Sequence, residues 1–414
     1  RTPGAVQGVF PMKNCWSLVL AAGLAIPAFA QSDATRAYEA ELLADADLRV
    51  SLLRDEATGS AGWNKGKFFI TDGGDNTLNI GGFTQTRYLA VFRDDRPDDA
   101  DDFTHGFQMR RARINASGSV WDKNLTFKIE GEFHRNGGDF HLLDAWACYT
   151  WDSGVAIRFG QLKPFLQRED NVSDVYQLTA ERSALNSVFG QNRTQGIEVS
   201  VVRERFRFFG TFFDGMNALN SEFDSPAESD FAVSCRVDYM FSGNSWKRFD
   251  DHTSFRGSEY AGMIGGGVVW QCGGETGGTF DEDIFQCTAD VTVEGDGWNV
   301  FACGVWRNTD TPGGSFNDYG FLAQGGYFIT EQCELFARYD VIVPDEGDNF
   351  NTATVGVNYY VSPNSHAVKV TGNVSWYFDP VSQTPILNTS TGLPLLADMA
   401  GDQVAFCMQV QLIH

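Results

Sequence analysis

Beyond residue 30 the sequence has no apolar run approaching the roughly 20 residues that a membrane-spanning helix needs, which excludes a helical membrane protein. Basic residues are outnumbered: 31 Lys and Arg face 54 Asp and Glu, for a net charge of −23. So acidic a chain repels a phosphate backbone, so nucleic acid is excluded as a partner. Histidine is scarce, with six residues in 414. No Ser–His–Asp or clustered-His spacing stands out, so nothing points to an enzyme, a metal site or a cofactor. Seven of the eight cysteines lie beyond residue 30, at positions 148, 235, 272, 287, 303, 333 and 407. The odd count and the lack of any C-x-x-C pair argue against both a zinc site and a disulfide framework. Disorder is excluded too, because 43% of the chain is hydrophobic and 14% aromatic.

What is present begins with an export signal. From Met12 the chain reads as a basic n-region at Lys13, an apolar h-region from Trp16 to Ile26, and an A-x-A cleavage site at Ala28-Phe29-Ala30. Residues 1–11 read as translated sequence upstream of the true start and residues 12–30 as the signal peptide, with the mature chain expected from Gln31. Without Arg1 and Lys13 the net charge passes from −23 to −25. Residues 31–62 are expected to be an N-terminal helical, periplasmic segment. Within it Leu43, Ala46, Val50 and Leu53 form a heptad seam, which Gly59-Ser60-Ala61-Gly62 ends. The acid runs at Asp94-Asp95 and from Asp98 to Asp102 read as solvated loop rather than as a Ca²⁺ site.

From Leu78 onward the pattern has a period of two, so each strand presents one face to an apolar medium and the other to a polar one. Ala112, Ile114, Ala116, Gly118 and Val120 oppose Arg111, Arg113, Asn115, Ser117 and Ser119. Leu125, Phe127, Ile129, Gly131 and Phe133 oppose Thr126, Lys128, Glu130, Glu132 and His134. The last segment sets Val404, Phe406, Met408, Val410 and Leu412 against Gln403, Gln409 and Gln411. Such segments number about sixteen, each around ten residues long, as tilted membrane-crossing strands require. They start near residues 78, 107, 124, 140, 154, 194, 204, 230, 259, 283, 297, 318, 332, 350, 366 and 402. Every second connection is short, as in WDKN, WDSG, EGDG and ITEQ. Alternation of short periplasmic turns with longer external loops is the layout of an outer-membrane barrel. The segment from Ser242 to Ser258 breaks this rule, being far too long for a turn, and suggests a miscounted strand. Residues 63–414 are therefore expected to form an all-β, transmembrane antiparallel barrel of about 16 strands in the outer membrane.

The order of "RRAR" (110–113), "GQLKP" (160–164), "ERS" (181–183) and "RTQGIEV" (193–199) resembles the phosphate-selective porin O and P family. The resemblance implies a sixteen-stranded homotrimeric barrel whose pore is narrowed by an inward-folded loop. The candidate loop is Pro164 to Arg193. A short helix is expected within Val175–Phe189, and Leu178, Leu185, Val188 and Phe189 are available to dock on the wall. The resemblance also implies that inward cations attract anions, and Arg111, Arg113 and Lys163 match those positions. Period two adds Lys128, Arg158, Arg205, Arg207 and Arg236 to the polar face. The alternative is that these cations only neutralise facing acids, since Glu130, Glu132, Asp144, Glu198 and Asp238 share that face.

The leading expectation is passive diffusion of small hydrophilic solutes, phosphate or other anions among them. A general or cation-leaning porin is the alternative, as is a structural barrel tethering the outer membrane to the cell wall. An outer-membrane enzyme is the weakest reading. The expected partners are solute, outer-membrane lipid and two further copies of the chain.

Overall fold

The computed structural model describes residues 60–64, 67–93, 102–135, 137–226, 228–275, 281–387, 393–395 and 402–414. The signal segment, the N-terminal helix and all of the acid runs except Asp102 fall outside the described residues. Two short strands come first, β1 (Ser60–Asn64) and β2 (Lys67–Thr71). Sixteen longer strands follow: β3 (Thr77–Phe92), β4 (Phe103–Val120), β5 (Asp122–Phe133), β6 (Phe140–Thr150), β7 (Val155–Leu162), β8 (Thr194–Val202), β9 (Phe206–Phe213) and β10 (Phe231–Ser242). The second half comprises β11 (Ala261–Cys272), β12 (Asp283–Gly295), β13 (Trp298–Thr311), β14 (Gly314–Phe328), β15 (Cys333–Val343), β16 (Phe350–Tyr360), β17 (Val368–Tyr377) and β18 (Gln403–Ile413).

From β3 to β18 each strand pairs antiparallel with the next, and β18 returns to β3, with Val404 opposite Phe92 and Ile413 opposite Phe83. The sheet therefore closes on itself. Closure leaves no unpaired edge, the condition for backbone crossing a hydrocarbon layer. No helix among the described residues is long and apolar enough to cross a membrane. The sixteen barrel strands are those the alternation predicts, with starts displaced by at most a few residues. The β1–β2 hairpin is not predicted. It pairs through Phe68–Thr71 with residues 77–80 of β3, which extends below the end of β18.

Ordinary burial is inverted across the wall. Ile114, Ile129, Phe159, Phe321, Trp376, Met408 and Leu412 point outward and are exposed, while Gln85, Arg236, Gln271, Thr354 and Lys369 point inward and are buried. Such a wall suits lipid outside and polar chemistry inside. Turns at the periplasmic end are tight. Trp121 alone links β4 to β5 in the left-handed region (φ 61), and Asp296-Gly297 (Gly297 φ 74) joins β12 to β13. Cys148, Cys303 and Cys407 are buried on the inward side as small apolar filler.

The segment between β10 and β11 holds no extra strand, so the suspicion of a miscount is corrected. Its length goes into an inward fold. A 3₁₀ turn at Trp246–Asp250 is followed by His252, Thr253 and Ser254, all buried. The Ser254 hydroxyl donates to the Gly295 carbonyl at 2.5 Å, and Thr253 meets the Tyr360 hydroxyl at 3.1 Å.

The loop from Pro164 to Arg193 also folds into the barrel. It carries two short helices, α1 (Arg168–Asn171) and α2 (Ala184–Phe189), around a 3₁₀ turn at Asp174–Tyr176. Ser183 caps α2, its hydroxyl accepting from the Asn186 N–H at 3.0 Å. Leu185 and Phe189, four residues apart, share the helix face that packs with Phe301, Cys303, Val305, Leu322, Ile342 and Phe350 of the inner wall. Burying Leu178, Leu185, Val188 and Phe189 contributes roughly 1.5–3 kcal/mol each before ordering costs. No solvated extracellular cap gains that. The two inserts meet inside the lumen: the His252 N–H donates to the Tyr176 carbonyl at 3.2 Å, and an Arg168 guanidinium N–H to the Asp251 carbonyl at 3.2 Å.

Gly320 on β14 makes room for this docking. A Cβ there would lie 2.7 Å from Phe189 and 3.0 Å from Leu185. Gly320→Leu is expected to unseat α2 and raise single-channel conductance while the barrel still folds, since the narrowest section sets the resistance. Unchanged conductance of a folded variant would contradict the packing described.

Candidate functional site: a charged constriction

Strand alternation brings Arg87 of β3 and Arg111 and Arg113 of β4 to the lumen face. Arg110 joins them through a bulge: Gln85 pairs with Arg111 and Thr86 with Met109, leaving Arg110 as the extra residue. A bulge re-aims one side chain, so two consecutive arginines, both buried, point inward.

The loop supplies their counter-charges. Glu181 accepts from Arg87 at 2.7 Å, from Arg111 at 2.9 Å and from Arg110. Asp174 lies 3.0 Å from Arg111 and 2.6 Å from Arg113, and also pairs with Arg182. Lys163 at the loop root holds Asp170 at 2.8 Å. Deeper in the wall the pattern reverses, with the loop's Arg193 joining Lys128 on Asp144, at 2.8 and 2.7 Å. Arg158 pairs with Glu198 at 2.8 Å. Across the lumen Arg207 holds Asp238 at 2.6 Å, and Arg236 sits between Asp238 and Asp290 at 2.7 and 2.8 Å. Arg207 also stacks between Phe165 and Trp246, its guanidinium 4.7 Å from each ring centre.

These pairs set the protonation of the loop. Burial by itself would raise the Glu181 carboxyl, but Arg110, Arg111 and Arg87 outweigh it and hold its pKa at about 2. Asp174 is held well below the ordinary carboxylate value, burial being overcome by Arg111, Arg182 and Arg113. Both stay ionised through mild acid, and their contribution is lost only as pH falls through the folded-state value. Lys163 goes the other way. Burial lowers it to about 8, with Asp170 opposing and Arg182 and Arg193 assisting.

Residues 85–251 match the family model described as phosphate-selective porin O and P. The match covers less than half of the chain, and the closed sheet around it is a β-barrel of the outer-membrane type. No curated protein sequence matches the chain. Among solved structures, the chain is similar to an anion-selective porin from Comamonas acidovorans at 13% identity and TM-score 0.59, over 82% of this chain and 100% of that one. It is also similar to the outer-membrane channel DcaP of Acinetobacter baumannii, at 11% identity and TM-score 0.55, over 81% and 97%. A trimer form of OmpT, an outer-membrane protein of Vibrio cholerae, aligns at 12% identity and TM-score 0.51, over 81% and 99%. At these identities the likeness is one of fold.

Of the eight cations expected on the lumen face, Arg111, Arg113, Lys128, Arg158, Lys163, Arg207 and Arg236 line the barrel's interior or the root of its loop. Arg205 does not. It is exposed in the turn before β9, with its guanidinium on the carbonyls of Met240 and Gly243 at 3.4 and 3.1 Å. The period-two extrapolation runs one residue past the strand there. Sequence reasoning also leaves out Arg87, Arg110, Arg193 and Glu181. Arg87 shares the parity of the lumen face and is legible in principle, whereas Arg110 is hidden by the bulge. Among the described residues no group of three or more His, Cys, Asp or Glu is placed to hold a metal ion.

The lowered Lys163 makes a testable pH dependence. The folded-state pKa lies below the ordinary 10.5, so charged Lys163 costs the folded state, and that cost is relieved as pH rises through about 8. Its surroundings comprise Asp170, Asp174, Arg182, Arg193 and Arg158, whose guanidinium donates to the Lys163 carbonyl at 3.2 Å. Raising pH from 7 to 9 is expected to move the reversal potential of the wild-type channel toward cations. Lys163→Met should already sit at the shifted value at pH 7, and a step that persists in this variant would assign the titration elsewhere.

Proposed function

We propose that this porin carries small hydrophilic solutes across the outer membrane by passive diffusion, with a preference for anions, phosphate and other oxyanions included. The observation that carries this reading is the loop from Pro164 to Arg193, folded into the barrel against a wall of arginines. A narrow section lined by guanidinium groups and walled by low-dielectric protein focuses a positive field on any passing ion. Arginine suits oxyanions because its planar fork matches two oxygens at once. The similarity to a structure described as an anion-selective porin supports the same choice. A homotrimeric assembly belongs to this reading, supported by the family resemblance and by the neighbour described as a trimer form. No catalytic step is part of it.

A cation-leaning channel is favoured by a different observation. Arg87, Arg110, Arg111, Arg113, Lys128, Arg158, Lys163, Arg207 and Arg236 each have a carboxylate within 4 Å, and the chain is acidic overall. Reversal potential in a KCl gradient separates the two. Arg111→Gln with Arg113→Gln keeps size and hydrogen bonding while removing two charges. If each contributes about 1 kcal/mol to a passing anion at intermediate dielectric, relative anion permeability should fall by roughly thirtyfold, most visibly at low salt. A wild-type channel that already prefers cations would overturn the anion reading and leave the porin reading intact.

A further inference from the structure

The connection from Gly243 to Tyr260 is far longer than others at its end of the barrel, where Trp121 alone or Asp296-Gly297 suffices. Two residues can join a pair of antiparallel strands, so the surplus does something other than close β10 onto β11. Its two ends are held differently. The root is apolar: Trp246 and Phe249 are buried with Val202, Met240, Ala261 and Met263 of β8, β10 and β11. The tip runs along the mouth to β16 and β17 on ring contacts and single hydrogen bonds. Phe255 lies among Phe328, Tyr360 and His366, with ring centres 5.4, 5.1 and 5.2 Å away. His366 Nε2 meets Asp251 Oδ2 at 2.8 Å, the Gly257 N–H donates to Asp296 Oδ1 at 2.6 Å, and Arg256 donates to the Phe328 carbonyl.

The constriction loop spans the arc beyond. Its 3₁₀ turn takes hydrogen bonds from Gln85 of β3 to the Asp174 carbonyl at 3.4 Å and from Gln411 of β18 to the Val175 carbonyl at 3.2 Å. Lys369 of β17 donates to the Gln177 carbonyl at 2.8 Å. Insert and loop then meet along a seam, where the His252 N–H donates to the Tyr176 carbonyl and the Tyr176 ring lies 5.0 Å from that of His366. An open pore would wet the inward side chains at this level. Instead Met263, Glu294, Glu334, Asn358, Lys369 and Gln411, drawn from six different strands, are each at most 2% exposed.

We propose that the Gly243–Tyr260 insert is a periplasmic gate, closed in this structure, which turns on its Trp246–Phe249 root and is latched by Phe255. This rests on the channel reading and adds a second control point in series with the constriction. The apolar root stays with the wall, while the tip gives up contacts that water can largely replace. The constriction loop then sets the conductance and selectivity of the open channel, and the insert sets how often it is open. Opening is a two-state equilibrium, so weakening the latch raises the open fraction in proportion.

The test is single-channel recording in a planar bilayer with KCl, on wild type and two variants. Phe255→Ala removes three ring contacts without touching the charged constriction. In the second variant Asn-Gly replaces the whole insert, leaving a two-residue hairpin between β10 and β11. A wild-type channel that dwells mostly closed is expected. Its open fraction should rise about tenfold in Phe255→Ala, with the reversal potential unchanged. The shortened variant should stay open. A wild-type channel that is open nearly all the time overturns the proposal, as does an unchanged open fraction in either assembled variant. Should the shortened variant fail to assemble, Phe255→Ala alone decides. Wild type and variants that are all silent as assembled barrels would strike the channel reading itself, and the gate with it.

Discussion

A strand crossing hydrocarbon must find partners for all its backbone N–H and C=O groups on neighbouring strands. That constraint closes the sheet from β3 to β18 and forces side chains to alternate between lipid and lumen. Everything inside follows from what the inward face then carries. A wall of Arg, Lys, Asp and Glu brought together without water would cost several kcal/mol for each unpaired charge. Here cations and acids are instead matched, much of the matching being supplied by an inserted loop.

The loop is held in two different ways, and they divide the work. Its apolar side chains dock on an inner-wall patch that includes Phe301, Leu322 and Phe350, an apolar interruption in an otherwise polar lumen. Its acids reach the opposite, arginine-rich arc of β3 and β4. Docking fixes where the loop lies, while the ion pairs set the field at the narrowest section. Buried pairs are weak evidence for net stability, yet removing one partner is costly because the other charge stays behind. The periplasmic insert between β10 and β11 adds a second contact from below, so two inserts from opposite ends share the lumen.

The barrel itself was legible because lipid makes the alternation strict. Val404 to Leu412 against Gln403, Gln409 and Gln411 could be read without coordinates, and the structure exposes Phe406, Met408, Val410 and Leu412 and buries the three glutamines. The apolar residues of the constriction loop likewise announced that it docks. Three things were not legible, each for a physical reason. A bulge at Arg110 shifts parity by one residue without leaving a mark in the sequence. The inward fold of Gly243–Tyr260 looks like an overlong turn, because its burial depends on partners such as Tyr360 and Gly295 that are distant in the chain. The β1–β2 hairpin is too short for a period of two to register.

The central claim is that the loop from Pro164 to Arg193 sits inside the barrel, fastened to its wall. Hydrogen exchange of the backbone amides from Arg182 to Gly190 in the detergent-solubilised protein tests it most directly. Ala184 N–H donates to Asp340 at 3.1 Å, Ser187 N–H to the Ser183 carbonyl at 3.2 Å and Gly190 N–H to the Asn186 carbonyl at 2.9 Å, all within a buried setting. The account predicts slow exchange there, comparable with the barrel strands. Exchange as fast as in the exposed connection around Glu222–Ser225 would show a solvated external loop and contradict it.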